Sequence, residues 1–181
     1  AESKSEINEI ERIAKSKKKI VNIGIRLNPN TDAKTLKQIS TGKKENKFGV
    51  DEKIFLELVN YSKISKHINL KCLSVHIGSQ ILDYKPYEKM LKVVDNIIKK
   101  SNHIFEYVDL GGGMGISYEA TSKKLNYKKY NIAIKKFLKN NKTKIIFEPG
   151  RSIVGNIGSL VSKVIYIKEN EKKDFVILDA A

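Results

Sequence analysis

Apolar residues fall on two alternating periods along this chain. Between residues 6 and 18, Ile7, Ile10, Ile13 and Ala14 recur at helical spacing behind Ser3-x-x-Glu6, a capping-box pattern that satisfies the first free amides of a helix. Residues 20–27 are instead continuously apolar and β-branched, which predicts a strand, and they stop at the loop signal Asn28-Pro29-Asn30. Residues 31–49 are polar and lysine-rich without a period, too long for a plain connection, and loops of that kind often carry function. Asp51 can cap a second helix whose stripe is Ile54, Phe55, Leu58 and Val59. Residues 70–77 predict another strand, ending in His76-Ile77-Gly78-Ser79-Gln80. Pro86 then suits the first turn of a helix that buries Tyr87, Met90, Leu91, Val94, Ile97 and Ile98.

The second half continues the alternation. Val108-Asp109-Leu110 is a short apolar run opening into Gly111, Gly112 and Gly113, with Gly115 one residue further on. Residues 127–139 predict a helix with Tyr130, Ile134, Phe137 and Leu138 inside, and Ile145-Ile146-Phe147 predicts a strand closing on Glu148-Pro149-Gly150-Arg151. After Gly155 the texture changes: residues 160–168 and 174–179 read as strands with no helix between them. Apolar strands alternating with helices long enough for right-handed crossovers predict an α/β fold with a parallel sheet. His76, the three glycines and the segment from Glu148 to Arg151 all follow strands, at the ends where α/β proteins build their sites.

Composition narrows the class. Of 181 residues 40% are hydrophobic, enough for a packed core. No run approaches the roughly 18 apolar residues that span a membrane, and the opening Ala1-Glu2-Ser3-Lys4 has no signal-peptide pattern, so the sequence reads as cytoplasmic. The single Cys72 lies in an apolar run and reads as a small buried hydrophobe. A net charge of +15 raises the question of nucleic acid. Only Arg12, Arg26 and Arg151 are arginines, however, and the lysines are scattered over helix faces and loops, which suits solvated surfaces better than base reading.

Glycines after a strand let the backbone approach a ligand closely, and their N–H groups can cradle a phosphate. Glu148, placed directly after an apolar strand, needs a cationic partner if buried: either Arg151 or a ligand cation. Arg151 is then that partner or a planar fork for a carboxylate or phosphate. His76 is a candidate at a strand end, whereas His67 and His103 read as structural. No His/Cys metal spacing, nucleophile elbow or Walker loop is present.

Val75-His76-Ile77-Gly78-Ser79-Gln80, Asp109-Leu110-Gly111-Gly112-Gly113 and Glu148-Pro149-Gly150-Arg151, in that order, resemble the fold-type III pyridoxal-phosphate decarboxylases, alanine-racemase-like barrels that carry a β-domain. Arg26-Leu27-Asn28-Pro29, Asp32-Ala33-Lys34 and the run from Ile39 to Gly49 are similar to the diaminopimelate decarboxylase branch of that family. The resemblance implies the C-terminal half of a (β/α)8 barrel over residues 1–155 and the start of a β-domain over residues 156–181, so that the chain is an internal fragment of an enzyme. The family's cofactor-binding lysine and second-subunit cysteine loop have no counterpart in this sequence.

The cofactor implied is pyridoxal 5'-phosphate. His76 would stack on its ring; Ser79, Gly111, Gly112 and Gly113 would hold its phosphate, with Gly150 also at the cofactor; Glu148 would pair with the pyridine nitrogen; and Arg151 would hold a substrate carboxylate or assist at the phosphate. His76 and Glu148 are the implied catalytic residues. The implied reaction converts meso-2,6-diaminopimelate to L-lysine and carbon dioxide in a cytoplasmic homodimer with shared active sites, without metal, membrane or nucleic acid. Family members acting on ornithine, arginine or carboxynorspermidine are the alternative, and a basic nucleic-acid-binding module is the alternative of another class.

Overall fold

Local signals start each helix. The computed structural model describes residues 1–33, 42, 47–118 and 123–180. In α1 (Lys4–Ser16) the Ser3 hydroxyl accepts from the Glu6 amide at 3.1 Å, while the Glu6 carboxylate reaches back to the Glu2 amide, one residue before the position a strict capping box would use. In α2 (Glu52–Ile64) the Asp51 carboxylate accepts from the Ile54 amide at 2.9 Å, a cap contributing about 1 kcal/mol. In α3 (Lys85–Ser101) Pro86 sits in the first turn, where its missing N–H costs nothing, and Asn102 closes the helix in the left-handed region at φ 44°. In α4 (Tyr127–Asn140) the Asn126 side chain accepts from the Lys129 amide.

Between these helices run β1 (Val21–Arg26), β2 (Ile68–Ser74), β3 (Tyr107–Asp109) and β4 (Lys144–Ile146), paired in parallel in the order β1-β2-β3-β4. Sequential order without reversal, with α2 packed on α3 and α3 on α4, is the arrangement of consecutive βα units in a barrel; a doubly wound sheet would reverse at a switch point. Lys71 is an extra residue between the Ile23–Leu70 and Gly24–Cys72 pairs, and its ammonium meets Glu106 at 2.8 Å.

One face of the sheet makes the core. Ile25, Leu73 and Val108 are fully buried against Phe55, Val59, Met90 and Val94 of the helices, each worth about 1.5–3 kcal/mol of apolar transfer. The alternate positions Gly24, Arg26, Cys72, Ser74, Tyr107 and Asp109 are only half-buried. The strands, read from the sequence as continuous apolar runs, are covered on the helix side, and the other side carries small and polar groups.

Some expected core positions are on the outside. Ile13 is 46% exposed and Leu138 37%, because α1 and α4 bury narrower stripes than their apolar spacing predicts. Beyond the four-residue α5 (Arg151–Val154), β5 (Val164–Lys168) and β6 (Phe175–Leu178) form a separate antiparallel pair, exposed on both faces. Most of the segment 31–49 lies outside the described residues, including the motif residues Lys34, Ile39, Ser40 and Thr41 and Lys43 through Asn46. Among the described residues no helix is long and apolar enough to cross a membrane.

Candidate active site

Parallel pairing aligns the C-terminal ends of β2, β3 and β4, and the ladder continues past them. The Val75 amide donates to the Asp109 carbonyl, the Leu110 amide to the Ile146 carbonyl at 3.0 Å, and the Glu148 amide to the Gly111 carbonyl at 2.9 Å. These bonds set the turn at Gly111, Gly112 and Gly113 between the segment carrying His76 and the one carrying Glu148.

The glycines are required by contact. A Cβ on Gly111 would lie 2.6 Å from His76 Nδ1, one on Gly112 would collide with the Glu148 carbonyl oxygen, and one on Gly113 with the Gly78 carbonyl oxygen. Gly111 and Gly113 also have φ of 64° and 84°. The structure therefore brings together His76, the three glycines and the Glu148 backbone at one end of the sheet.

The turn's amides are not equivalent. Gly111 N–H donates to Asp109 Oδ1 at 2.8 Å and Gly112 N–H to His76 Nδ1 at 3.3 Å; Gly113 N–H has no acceptor among the described residues. Since Nδ1 accepts, the neutral imidazole carries its proton on Nε2. Burial first, and the Arg26 charge second, hold His76 below its ordinary pKa against the opposing pull of Asp109, so the ring is neutral at pH 7.

Glu148 is exposed, which removes the premise that its carboxylate is buried. Its side chain has no hydrogen bond or ion pair among the described residues. Arg151 is not its partner, for Nη1 donates to the Tyr118 hydroxyl at 2.8 Å with the guanidinium carbon 6.0 Å from that ring's centroid. Ser79 is half-buried in the turn between Gly78 and Gln80. Gly150 caps α5, and a Cβ there would meet nothing within 4 Å, so no close approach explains that glycine. His67 and His103 hold the carbonyls of Lys19 and Leu70, in line with structural roles. Cys72 is half-buried rather than buried, and desolvation pushes its thiol up to about 11, leaving it a poor nucleophile.

Three supports were not singled out in the sequence. The Tyr87 hydroxyl donates to the Gly112 carbonyl at 3.1 Å. The Gln80 amide clamps Ile116, giving Nε2–H to its carbonyl at 2.7 Å and taking its N–H at 3.2 Å. Tyr118 orients Arg151. A tyrosine on a buried helix stripe was itself a signal, because its hydroxyl must find an acceptor inside.

A cavity of about 740 Å³ lined by Glu2, Asn28, Gly49, Asp51, Ile54 and Val93 lies away from this cluster and holds none of its residues. The chemistry of the strand ends decides the site: a neutral imidazole, a backbone donor and a carboxylate that have no partner among the described residues, and a guanidinium.

Known proteins share the sequence pattern and the fold of this chain. Over residues 1–155 the chain matches the pyridoxal binding domain of the pyridoxal-dependent decarboxylases. It is 38% identical over 183 residues to a diaminopimelate decarboxylase of Aquifex aeolicus, covering 99% of this chain and 43% of the relative, and 42% identical over 183 residues to one of Helicobacter pylori, covering 99% and 45%. The solved structure of Helicobacter pylori diaminopimelate decarboxylase complexed with L-lysine superimposes with a TM-score of 0.88 at 42% identity, over 99% of this chain and 45% of that one. A lysine/ornithine decarboxylase of Vibrio vulnificus shares the fold alone, at 20% identity and a TM-score of 0.73. The chain thus spans less than half the length of these relatives, and it belongs to the pyridoxal-dependent decarboxylases, residues 1–155 being the part of their pyridoxal binding domain that it supplies.

Proposed function

We propose that the protein carrying this chain removes carbon dioxide from meso-2,6-diaminopimelate to give L-lysine, with pyridoxal 5'-phosphate as cofactor. The observation that carries this reading is the convergence at one end of the sheet of His76, the Gly113 amide, which has no acceptor among the described residues, and the segment that carries Glu148. The substrate is taken from similarity: the relatives at 38–42% identity bear the name diaminopimelate decarboxylase, and one was solved with L-lysine.

The residues fit the cofactor. Cβ atoms on the three glycines would fill the cradle, and the one amide left over suits an anion. When bound, the cofactor supplies an electron-poor ring that takes up the electron pair left as the carboxylate departs. Gly113 N–H and the Ser79 hydroxyl would hold its phosphate, with Gly111 and Gly112 shaping the turn. The neutral His76 imidazole would lie on the ring face, where a charged ring would oppose a protonated pyridine. Glu148 would accept a hydrogen bond from the pyridine nitrogen and hold the proton there, a role with which no cation among the described residues competes. Arg151 would bind a substrate carboxylate with the guanidinium edge that Tyr118 leaves free. Gly150 would meet the cofactor through its backbone, with open space beside it.

Residues 1–155 are the barrel part and residues 156–181 the start of a β-domain, a division supported by the change from parallel sheet to antiparallel pair. The intact protein is a cytoplasmic homodimer with shared active sites. The test is to assay the full-length protein, loaded with pyridoxal phosphate, on meso-diaminopimelate, ornithine, arginine and carboxynorspermidine. Lysine and carbon dioxide released in equal amounts from the first alone are expected; turnover of another substrate with none of diaminopimelate overturns the reading.

A further inference from the structure

Tyr87 is completely buried, and its ring stacks on Tyr130 at 4.4 Å between centroids, inside the contact of α3 with α4. The ring belongs to the core, and a phenylalanine would fill the same volume. The hydroxyl does something a core residue need not do: it leaves the helix layer and donates to the Gly112 carbonyl at 3.1 Å. Burial first, and the neighbouring Tyr130 phenol next, push its pKa far above the usual range, so it is a donor at every working pH.

The Gly112 carbonyl and the Gly113 N–H belong to one trans peptide unit and point in opposite directions. A carbonyl held toward α3 therefore turns the Gly113 N–H away from α3. That amide is the one of the three without an acceptor among the described residues, since Gly111 and Gly112 give theirs to Asp109 and His76. This peptide is flanked by glycine on both sides, so no side chain restricts its rotation as a Cβ would. The hydroxyl supplies the restriction from outside the turn.

We propose that Tyr87 is a positioning residue for the cofactor's phosphate: its hydroxyl fixes the Gly112–Gly113 peptide so that the Gly113 N–H faces the phosphate. The inference rests on the pyridoxal-phosphate reading of the glycine turn given above. It separates two parts of the cofactor, because Tyr87 acts on the phosphate end and leaves the ring contacts of His76 and Glu148 unchanged.

The test uses the full-length protein stripped of cofactor, as wild type and as Tyr87→Phe, titrated with pyridoxal phosphate and with pyridoxal, which lacks the phosphate, with the melting temperature of each apoprotein measured alongside. The variant keeps the ring and loses one hydrogen bond, so its Kd for pyridoxal phosphate should rise about three- to tenfold while that for pyridoxal stays within about twofold. A loose core would weaken both ligands alike, and that result, or an unchanged Kd for pyridoxal phosphate, overturns the proposal. If wild type itself binds the phosphorylated form no better than pyridoxal, the phosphate reading of the turn fails and takes the proposal with it. A crystal structure of the wild-type holoenzyme gives an answer independent of the variant's folding. Gly113 N within hydrogen-bond distance of a phosphate oxygen, with Tyr87 still on Gly112, is the expected result; a phosphate held without that amide overturns the proposal.

Discussion

A methyl group is enough to separate the parts of this site. Gly112→Ala places a Cβ against the Glu148 carbonyl oxygen, so the turn after β3 and the segment after β4 must move apart. In the full-length protein the expected cost is about 1–3 kcal/mol of stability, read by denaturant melts, together with weakened pyridoxal-phosphate binding; a variant as stable as wild type would show that the contact relaxes freely. Glu148→Gln tests charge instead of shape. The side chain is exposed and unpaired among the described residues, so its replacement should leave the melting temperature and cofactor affinity nearly unchanged. Single-turnover decarboxylation should fall on the order of 10²-fold, about 3 kcal/mol in barrier, as when a main electrostatic stabiliser is removed. A rate within about twofold of wild type sinks the role assigned to this carboxylate. His76 adds a pH dependence of known sign. Burial depresses its folded pKa below the ordinary 6.5, so the unfolded chain takes up the proton first as pH falls. Its contribution to stability is full above pH 6.5 and is lost as pH drops through the folded value. Melts of wild type and His76→Asn between about pH 5 and 8 should converge toward the acid end, and parallel curves would contradict it.

Elements bounded by local chemistry were legible in the sequence; those bounded by neighbours were not. Ser3, Asp51 and Pro86 start α1, α2 and α3 as read, because caps and proline act within one turn. The strands were found from their apolar runs, yet β3 and β4 keep only three residues each. The four-residue α5 was not read at all, having no room for a period. Exposure at Ile13, Leu138 and Phe147 depends on what covers each face, which periodicity does not encode. Of the site, the glycine turn and the strand-end placement of His76 were visible because glycine and strand ends constrain backbone. The division of labour among the three amides was not, since it depends on Asp109 and His76 arriving from two strands. The Gln80 clamp is the least visible device, a side chain that imitates a strand by exchanging two bonds with Ile116 across the turn. Gln80→Ala removes both bonds and joins this segment less firmly to the one that carries Tyr118 and so orients Arg151. Faster hydrogen exchange at the Ile116 amide and a loss of about 1–3 kcal/mol are expected; unchanged exchange would mean the Ile81–Met114 bridge holds the segment alone.

At the scale of the whole molecule two opposing forces act on this chain when it is made by itself. Among the described residues β4 is paired only with β3, and beyond it Phe147, Ile153, Val154, Ile157, Leu160 and Val161 are between 41% and 92% exposed. An unpaired strand beside apolar side chains is a template for association. Against this stands the +15 net charge, which keeps copies apart by repulsion over the Debye length, about 10 Å at 0.1 M salt and 3 Å at 1 M. Salt removes the repulsion and leaves the apolar attraction, so residues 1–181 expressed alone should pass from small to large species as sodium chloride rises from about 0.05 to 0.5 M, followed by light scattering. Association driven by charge, as with co-purifying nucleic acid, would weaken with salt instead. The same polypeptide should be inactive on diaminopimelate, and reduction with borohydride in the presence of pyridoxal phosphate should mark scattered surface lysines, because among the described residues no lysine follows a strand into the cluster around His76 and Gly113. Mass spectrometry of the reduced sample decides: one lysine labelled stoichiometrically on a monodisperse chain would mean that the cofactor-binding lysine lies within these residues, and the expectation that the chain supplies cofactor and substrate contacts without that lysine would fall.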